Sequence, residues 1–323
     1  ATKKANYMSE YYYYLNRAKN YSLLFDNSGF DATSKWLRGR KADGSLNLGN
    51  SDNNTGFNPF WWGADYTETN AFNMAVSVPQ DGLGLANLYG GRDQLADKLD
   101  TIFTTDGGYI GYGAMDGVGG IHEQREAREV KLGQYGHSNQ PAHHIPYMYL
   151  YSSRPWETQK YVRDILARCY AGSTFGQGYI GDEDNGEMSA WYVLSSIGFY
   201  PLSMGNDEFA IGSPQFEEVT VNLEGNKKLV IKANNNSREN VYVDSMYVNG
   251  EKYDKTFIKY EDLIKGGTIE FNMSSTPNKE RGLEQDSLTS ITTGDNKPQV
   301  YTDYSKDADK SSSTGVTTLD NLF

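Results

Sequence analysis

The chain has 323 residues, 37% hydrophobic and 22% charged, which suits a packed core and argues against global disorder. With 42 acidic against 30 basic residues it carries a net charge of −12, a field that repels phosphate backbones and anionic bilayers and so speaks against a nucleic-acid partner. The single cysteine, Cys169, excludes an intramolecular disulfide and a cysteine-based zinc centre, and no apolar run approaches the roughly 20 residues of a membrane helix.

Helical periodicity opens the chain. Tyr11, Tyr12, Leu15, Ala18, Leu23 and Leu24 predict a helix over 7–27. A polar Gly/Asn-rich loop follows, and Phe60–Trp61–Trp62 leads into a second helix over about 70–80. Further helices are expected over 92–104, 140–151, 156–171 (entered through Pro155) and 187–199. Gly-rich loops, Gly107–Gly120 and Gly172–Gly181, separate them, and long loops on a helical scaffold are where a site is expected. Beyond Pro201 the pattern turns to strands: 219–223, 229–233, 241–248 and 268–273, with Asn249-Gly250 marking a tight hairpin. The organisation expected is thus a helical part over 1–203, a small antiparallel β module over 204–276, and a polar tail over 277–323, disordered or pairing with another domain. About six helices is half the number in an (α/α)6 barrel, so the fold class expected is mainly α, a barrel without its N-terminal part followed by the β module.

Three stretches carry chemistry. Asp65-Tyr66-Thr67-Glu68 follows Trp61–Trp62, and an acid beside aromatics can be held protonated for use as a general acid. Three of the four histidines lie in His137-Ser138-Asn139-Gln140-Pro141-Ala142-His143-His144. Adjacent helical residues point about 100° apart, so His143 and His144 do not chelate one ion together. The Asn-Gln pair offers hard oxygen ligands suited to calcium rather than zinc. Gly181-Asp182-Glu183-Asp184-Asn185-Gly186-Glu187 crowds four acids at a helix entrance. They serve either the helix dipole or a cleft in which a carboxylate pair activates water. Taken together, one isolated acid and a distant pair follow the two-carboxylate logic of glycoside hydrolysis. Competing motifs fail. Gly136-His137-Ser138-Asn139-Gln140 lacks the last glycine of a nucleophile elbow, His122-Glu123-Gln124-Arg125-Glu126 has Glu where a zinc helix needs its second His, and the glycines near 111–120 have no Lys-Ser/Thr ending.

In that order the stretches resemble glycoside hydrolase family 92. Asp65 to Phe72 with Val78-Pro79-Gln80-Asp81 resembles its DYxEGNAWxY…VPHD, residues 137–144 its HGNEPSHH, and Gly181 to Pro201 its GxxDxGQMSAWYxxxxxGFYP. The likeness covers about residues 7–275. It implies a calcium-dependent exo-α-mannosidase acting with inversion on terminal α-linked mannose of glycans, with an N-terminal β-sandwich before an (α/α)6 barrel and the site between them. By position, Glu68 is implied as the general acid, Asp184 as the base and Asp182 as its assistant. Trp62, His137, Ser138, His143, His144 and Glu187 are implied in substrate binding, and Asn139 and Gln140 in holding Ca2+. A secreted or periplasmic location is expected. The chain departs from the pattern at Gln140 (for Glu), Ser138 and Thr69 (for Gly), Gln80 (for His) and Phe72 (for Trp). Gln140 removes a charge beside the ion. The alternative is a truncated or divergent fragment that binds carbohydrate without turnover. A different (α/α)6 enzyme, a glucosidase or glycoside phosphorylase, is a third possibility.

Overall fold

A computed structural model of the chain describes residues 6–47, 56–106, 121–172, 176–283 and 287–300. The glycine run 107–120 thus lies outside the described residues.

The first expected helix breaks in two. Helix α1 (Met8–Arg17) gives way to a tighter turn over Asn20–Leu24, where the Ser22 hydroxyl donates to the Lys19 carbonyl at 2.9 Å and competes with helical pairing. Strand β1 (Phe25–Asp26) then pairs antiparallel with β2 (Trp36–Leu37). The helix expected over 70–80 is also split, into α2 (Ala71–Met74) and a 3-10 turn at Pro79–Asp81. Val78 is held at φ −137 by the proline that follows it, and such a residue resists the α conformation. Helix α3 (Gly82–Tyr89) was not anticipated, whereas α4 (Arg92–Thr104) has the expected bounds. Helix α5 (His122–Glu129) is a second addition. The 140–151 stretch forms 3-10 turns, Gln140–Ala142 and Ile145–Tyr151, rather than an α-helix. Pro141 and Pro146, each near the start of its turn, withhold the N–H groups a continuous helix needs. Helices α6 (Trp156–Cys169) and α7 (Glu187–Ser196) stop two or three residues short of expectation.

These helices close on an aromatic core. Phe103 stacks on Tyr161 with ring centroids 3.8 Å apart, Tyr149 stacks on the same ring, and the Tyr149 hydroxyl reaches Asp100 Oδ1 at 2.7 Å. Many of the tyrosines therefore serve packing, their hydroxyls satisfied inside the protein.

The second core belongs to a sheet. Strands β5 (Glu218–Leu223), β6 (Lys227–Asn234), β7 (Tyr242–Val248), β8 (Glu251–Lys252) and β10 (Gly267–Ser274) stand in the order β5-β6-β10-β7-β8. The sheet is antiparallel except at its centre, where β6 and β10 run parallel with Ile231 opposite Ile269. The wholly antiparallel expectation is corrected there: the β7–β8 hairpin and helix α8 (Tyr260–Leu263) carry the chain around, so that β10 enters between β6 and β7. Asn249 (φ 52) and Gly250 (φ 84) make the hairpin turn, as its dipeptide required. A smaller sheet of β3 (Phe199–Tyr200), β4 (Glu208–Ile211) and β9 (Phe257–Lys259) lies between the two cores. Helix α6 is tied to the sheet through Arg163, which donates to the Pro214 carbonyl, Asn236 Oδ1 and the Ser237 carbonyl, each at 2.7 Å.

Part of the expected polar tail is bound to its own chain. Asp81, fully buried, accepts from Tyr21, Ser290 and twice from Thr292 at 2.7–2.8 Å. Thr289 bonds Glu208 through both its N–H and its hydroxyl. Short polar side chains here complete buried acceptors instead of facing water. Residues 301–323 lie outside the described residues.

Candidate active site

Three loops converge at one end of the helices. The first, 61–70, closes on itself through Gly63 N–H to the Thr69 carbonyl (2.9 Å) and Tyr66 N–H to the Gly63 carbonyl (3.1 Å). It ends where the Asn70 side chain caps α2 by accepting from Asn73 N–H. Glu68 sits inside this closed loop with φ 51 and an exposed side chain. Left-handed backbone at a long, non-glycine residue is uncommon and is tolerated where surrounding bonds over-determine it. One such bond is Asn139 Nδ2 donating to the Glu68 carbonyl at 2.8 Å. Asp65, by contrast, is used structurally, accepting from Asn47 Nδ2.

The second loop, 134–144, is clamped to α2. Asn73 Nδ2 donates to the Gln134 carbonyl, and Asn73 Oδ1 accepts from Gly136 N–H. The third loop, 176–186, leans on the second at Gly181. That residue has φ 71, and a side chain there would meet Ser138 at 2.6–2.7 Å, so glycine is required for both reasons. Asp184, Asn185 and Gly186 all lie in the left-handed region before α7 begins. Glu183 takes the dipole role, accepting from Ser189 N–H and the Ser189 hydroxyl. Asp182 and Asp184 are left exposed toward the cleft.

The result is a cleft of about 460 Å³ whose walls include Trp62, Glu68, Ser138, Asn139, Asp182 and Asp184, a size suited to a small ligand. Six expected site residues thus share one cavity. Gln140 joins them through its side-chain amide, which donates to Asp184 Oδ2.

His137, His143, His144 and Glu187 do not line that cavity. His137 is wholly buried beneath it, and burial, with His143 nearby, holds its imidazole neutral, well below the usual histidine range. Tyr170 donates to the Met188 carbonyl at 3.2 Å, so it accepts from His137 Nε2; Nδ1 then accepts from the Tyr135 hydroxyl, both contacts being 2.8 Å. His143 Nε2 lies 2.8 Å from the His137 carbonyl, which can only accept, and Nδ1 lies 2.7–2.8 Å from both Glu187 oxygens. Trp191 donates to the His143 carbonyl and lies parallel to Tyr170. This buried layer fixes the 134–144 loop and the start of α7, placing the carboxylates from below. His144, partly exposed, has its Nε2 3.1 Å from the Val76 carbonyl, and burial pushes its imidazole down to about 4.

Two residues of α5 were missed as site residues: His122 and Glu123 also line the cleft. Their run reads as a solvated charged face, yet Glu123 and Ala127, spaced i, i+4, are both buried, a spacing that betrays an inward edge.

Calcium was expected at Asn139 and Gln140. The amide oxygens there and the carboxylate of Asp184 are hard donors, the chemistry calcium prefers. Two neutral side chains leave most of its six to eight positions to carbonyls, water or ligand hydroxyls. Among the described residues no trio of His, Cys, Asp or Glu could hold a metal ion. The donor set fits an open calcium site and not a zinc site.

Known proteins resemble this chain over most of its length. Residues 1–275 match the model for the glycosyl hydrolase family 92 catalytic domain. An α-mannosidase of that family from Bacteroides thetaiotaomicron, solved in complex with mannoimidazole, superimposes with a TM-score of 0.80 at 32% identity, covering 94% of this chain and 38% of that one. A family 92 inverting mannosidase of the same bacterium aligns with a TM-score of 0.69 at 32% identity, over 86% of this chain and 36% of its own. A curated protein of Arthroderma benhamiae described as an uncharacterized secreted glycosidase is 27% identical over 199 residues, 61% of this chain and 22% of its own length. The chain therefore spans well under half of each of these relatives.

Proposed function

The chain belongs to glycosyl hydrolase family 92, and we propose on that footing that its cleft is the acid–base site of an exo-acting α-mannosidase releasing terminal α-linked mannose from glycans with inversion. The observation that carries this reading is the gathering of Glu68 with Asp182 and Asp184 in one cavity, from loops more than a hundred residues apart in the chain. Glu68, exposed on a strained loop, donates its proton to the glycosidic oxygen as the bond to the anomeric carbon breaks. Asp184 takes a proton from the water that attacks the opposite face, with Asp182 beside it. Gln140 engages Asp184 Oδ2, which leaves the other oxygen for that water. An inverting site of this kind needs about 6.5–9.5 Å between its acid and base. Trp62 and Ser138 supply an apolar edge and a hydroxyl to the bound sugar.

Asn139 and Gln140 would hold calcium, which when bound supplies a positive charge for the sugar's 2- and 3-hydroxyls. The (α/α)6 arrangement and a β-sandwich closing the cleft belong to the same reading, as does secretion, which the description of the fungal relative supports.

The test is to follow hydrolysis of an α-mannoside by proton NMR. Inversion predicts β-mannose as the first product, activity lost in EDTA and regained with calcium. α-Mannose formed first would contradict the mechanism, and indifference to chelation would remove the metal. The alternative, carbohydrate binding without turnover, is what sugar binding with no mannose release would establish.

A further inference from the structure

The acid's side of the cleft contains a carboxyl that the two-carboxylate scheme does not use. Glu123 projects from the first turn of α5 into the wall shared with Glu68 and is 93% buried, its relative exposure being 7%. One of its oxygens, Oε1, lies 3.4 Å from His122 Nε2. The other, Oε2, is buried without a hydrogen-bond partner among the described residues. A shut-in carboxyl oxygen with no donor is costly to a fold and is normally satisfied. Glu123 itself lines the cleft, so a ligand hydroxyl entering there, met by a small turn of the carboxyl, is the natural source of the missing partner.

We infer that Glu123 is a specificity residue for the leaving sugar, its carboxyl bonding a hydroxyl of the residue to which the terminal mannose is attached. The inference rests on the proposed function, because that reading places the glycosidic oxygen at Glu68 and the attacking water at Asp184. Of the cleft carboxylates it is Glu68 whose charge acts on Glu123, which sets Glu123 beside the departing residue. Desolvation by burial, with the charges of Glu126 and Glu68 adding to it, lifts the Glu123 carboxyl above the ordinary glutamate range against the opposing effects of its own backbone bond and of His122. A carboxyl that holds its proton more readily can donate as well as accept, which matches a sugar hydroxyl on both counts. Ser138 lines the same cavity, and its buried hydroxyl is also without a partner among the described residues, so it is open to whichever sugar stands between the two. Together they favour a saccharide leaving group over an aryl group or a simple alcohol.

The experiment measures binding rather than turnover, by calorimetry in calcium buffer. The probes are methyl α-mannoside and a sulfur-linked α-dimannoside that cannot be hydrolysed, titrated into the wild-type chain and into Glu123→Leu, which keeps the volume and removes the polar atoms. The expected result is methyl mannoside affinity within about twofold, which also reports an intact fold, and dimannoside affinity about tenfold weaker in the variant, the worth of one hydrogen bond to a charged or acidic group. Equal weakening of both probes, or of neither, overturns the Glu123 assignment and leaves the proposed function standing. If wild-type protein binds neither sugar, the proposed function and this assignment fall together.

Discussion

The five-stranded sheet and the three-loop cluster are built by opposite means. The sheet is held by burial. Ile231, Met246, Ile269 and Phe271 are each about 1% exposed or less, on strands whose alternation sets which face is inward. The loop cluster is held by single polar contacts between distant segments: Asn139 to Glu68, Asn73 to Gln134 and Gly136, Gly181 against Ser138. The first arrangement spreads its stability over many contacts, while the second concentrates function in a few bonds and several left-handed residues. Stability should therefore be lost most readily in the sheet, and activity in the loops.

The largest expected effect on stability is Phe271→Ala. Emptying the fully buried position between the two sheets' apolar faces should cost about 3–5 kcal/mol, read as a lowered denaturation midpoint, while sugar binding by the protein that remains folded is unchanged. Equal loss of binding would show that the sheet shapes the cleft and would blur the distinction.

Acid should attack the opposite region first. All four histidines lie within residues 122–144 and none in the sheet. The His144 imidazole sits near 4 when folded against an ordinary 6.5, so the unfolded chain binds more protons between those values. Stability should then fall as pH drops from about 6.5 and level off below about 4, with His144 contributing about 3 kcal/mol at most. Replacing it by Gln, which keeps a donor for the Val76 carbonyl, should flatten the loss of stability across that window. An unchanged slope would assign acid lability elsewhere.

Gly181→Ala should be the mildest for stability and severe for function. A methyl group at φ 71, pressed on Ser138, costs about 1–3 kcal/mol, and the cheapest relief is displacement of the Asp182–Asp184 loop. The expected outcome is a small change in melting temperature with activity reduced about a hundredfold, since small misplacement of a catalytic group is expensive in rate. Retained activity would mean the loop is not positioned from Ser138.

The same contrast explains what the sequence discloses. The strands were legible because alternation and the Asn249-Gly250 turn are local signals, and α4 and α6 because their apolar spacing is unbroken. Helix content around Val78-Pro79 and Pro141 was over-read because periodicity continued where backbone donors did not. The cleft's carboxylates were legible as clusters and through the family likeness. The buried roles of His137 and His143 and the need for glycine at 181 were not, since each depends on a partner tens of residues away that no local pattern names. The parallel pairing of β6 and β10 was hidden for the same reason. The inward edge of α5 shows only in the i, i+4 spacing of Glu123 and Ala127.

If Glu68 delivers the proton to the leaving oxygen, Glu68→Ala should sort substrates by how much their leaving groups need that proton. On a mannose disaccharide, whose leaving sugar needs protonation, the account predicts a loss in kcat/KM of about 10²–10⁴. On a nitrophenyl α-mannoside, whose leaving group departs as a stable anion, it predicts a loss smaller by at least tenfold. Equal losses on the two substrates would contradict it.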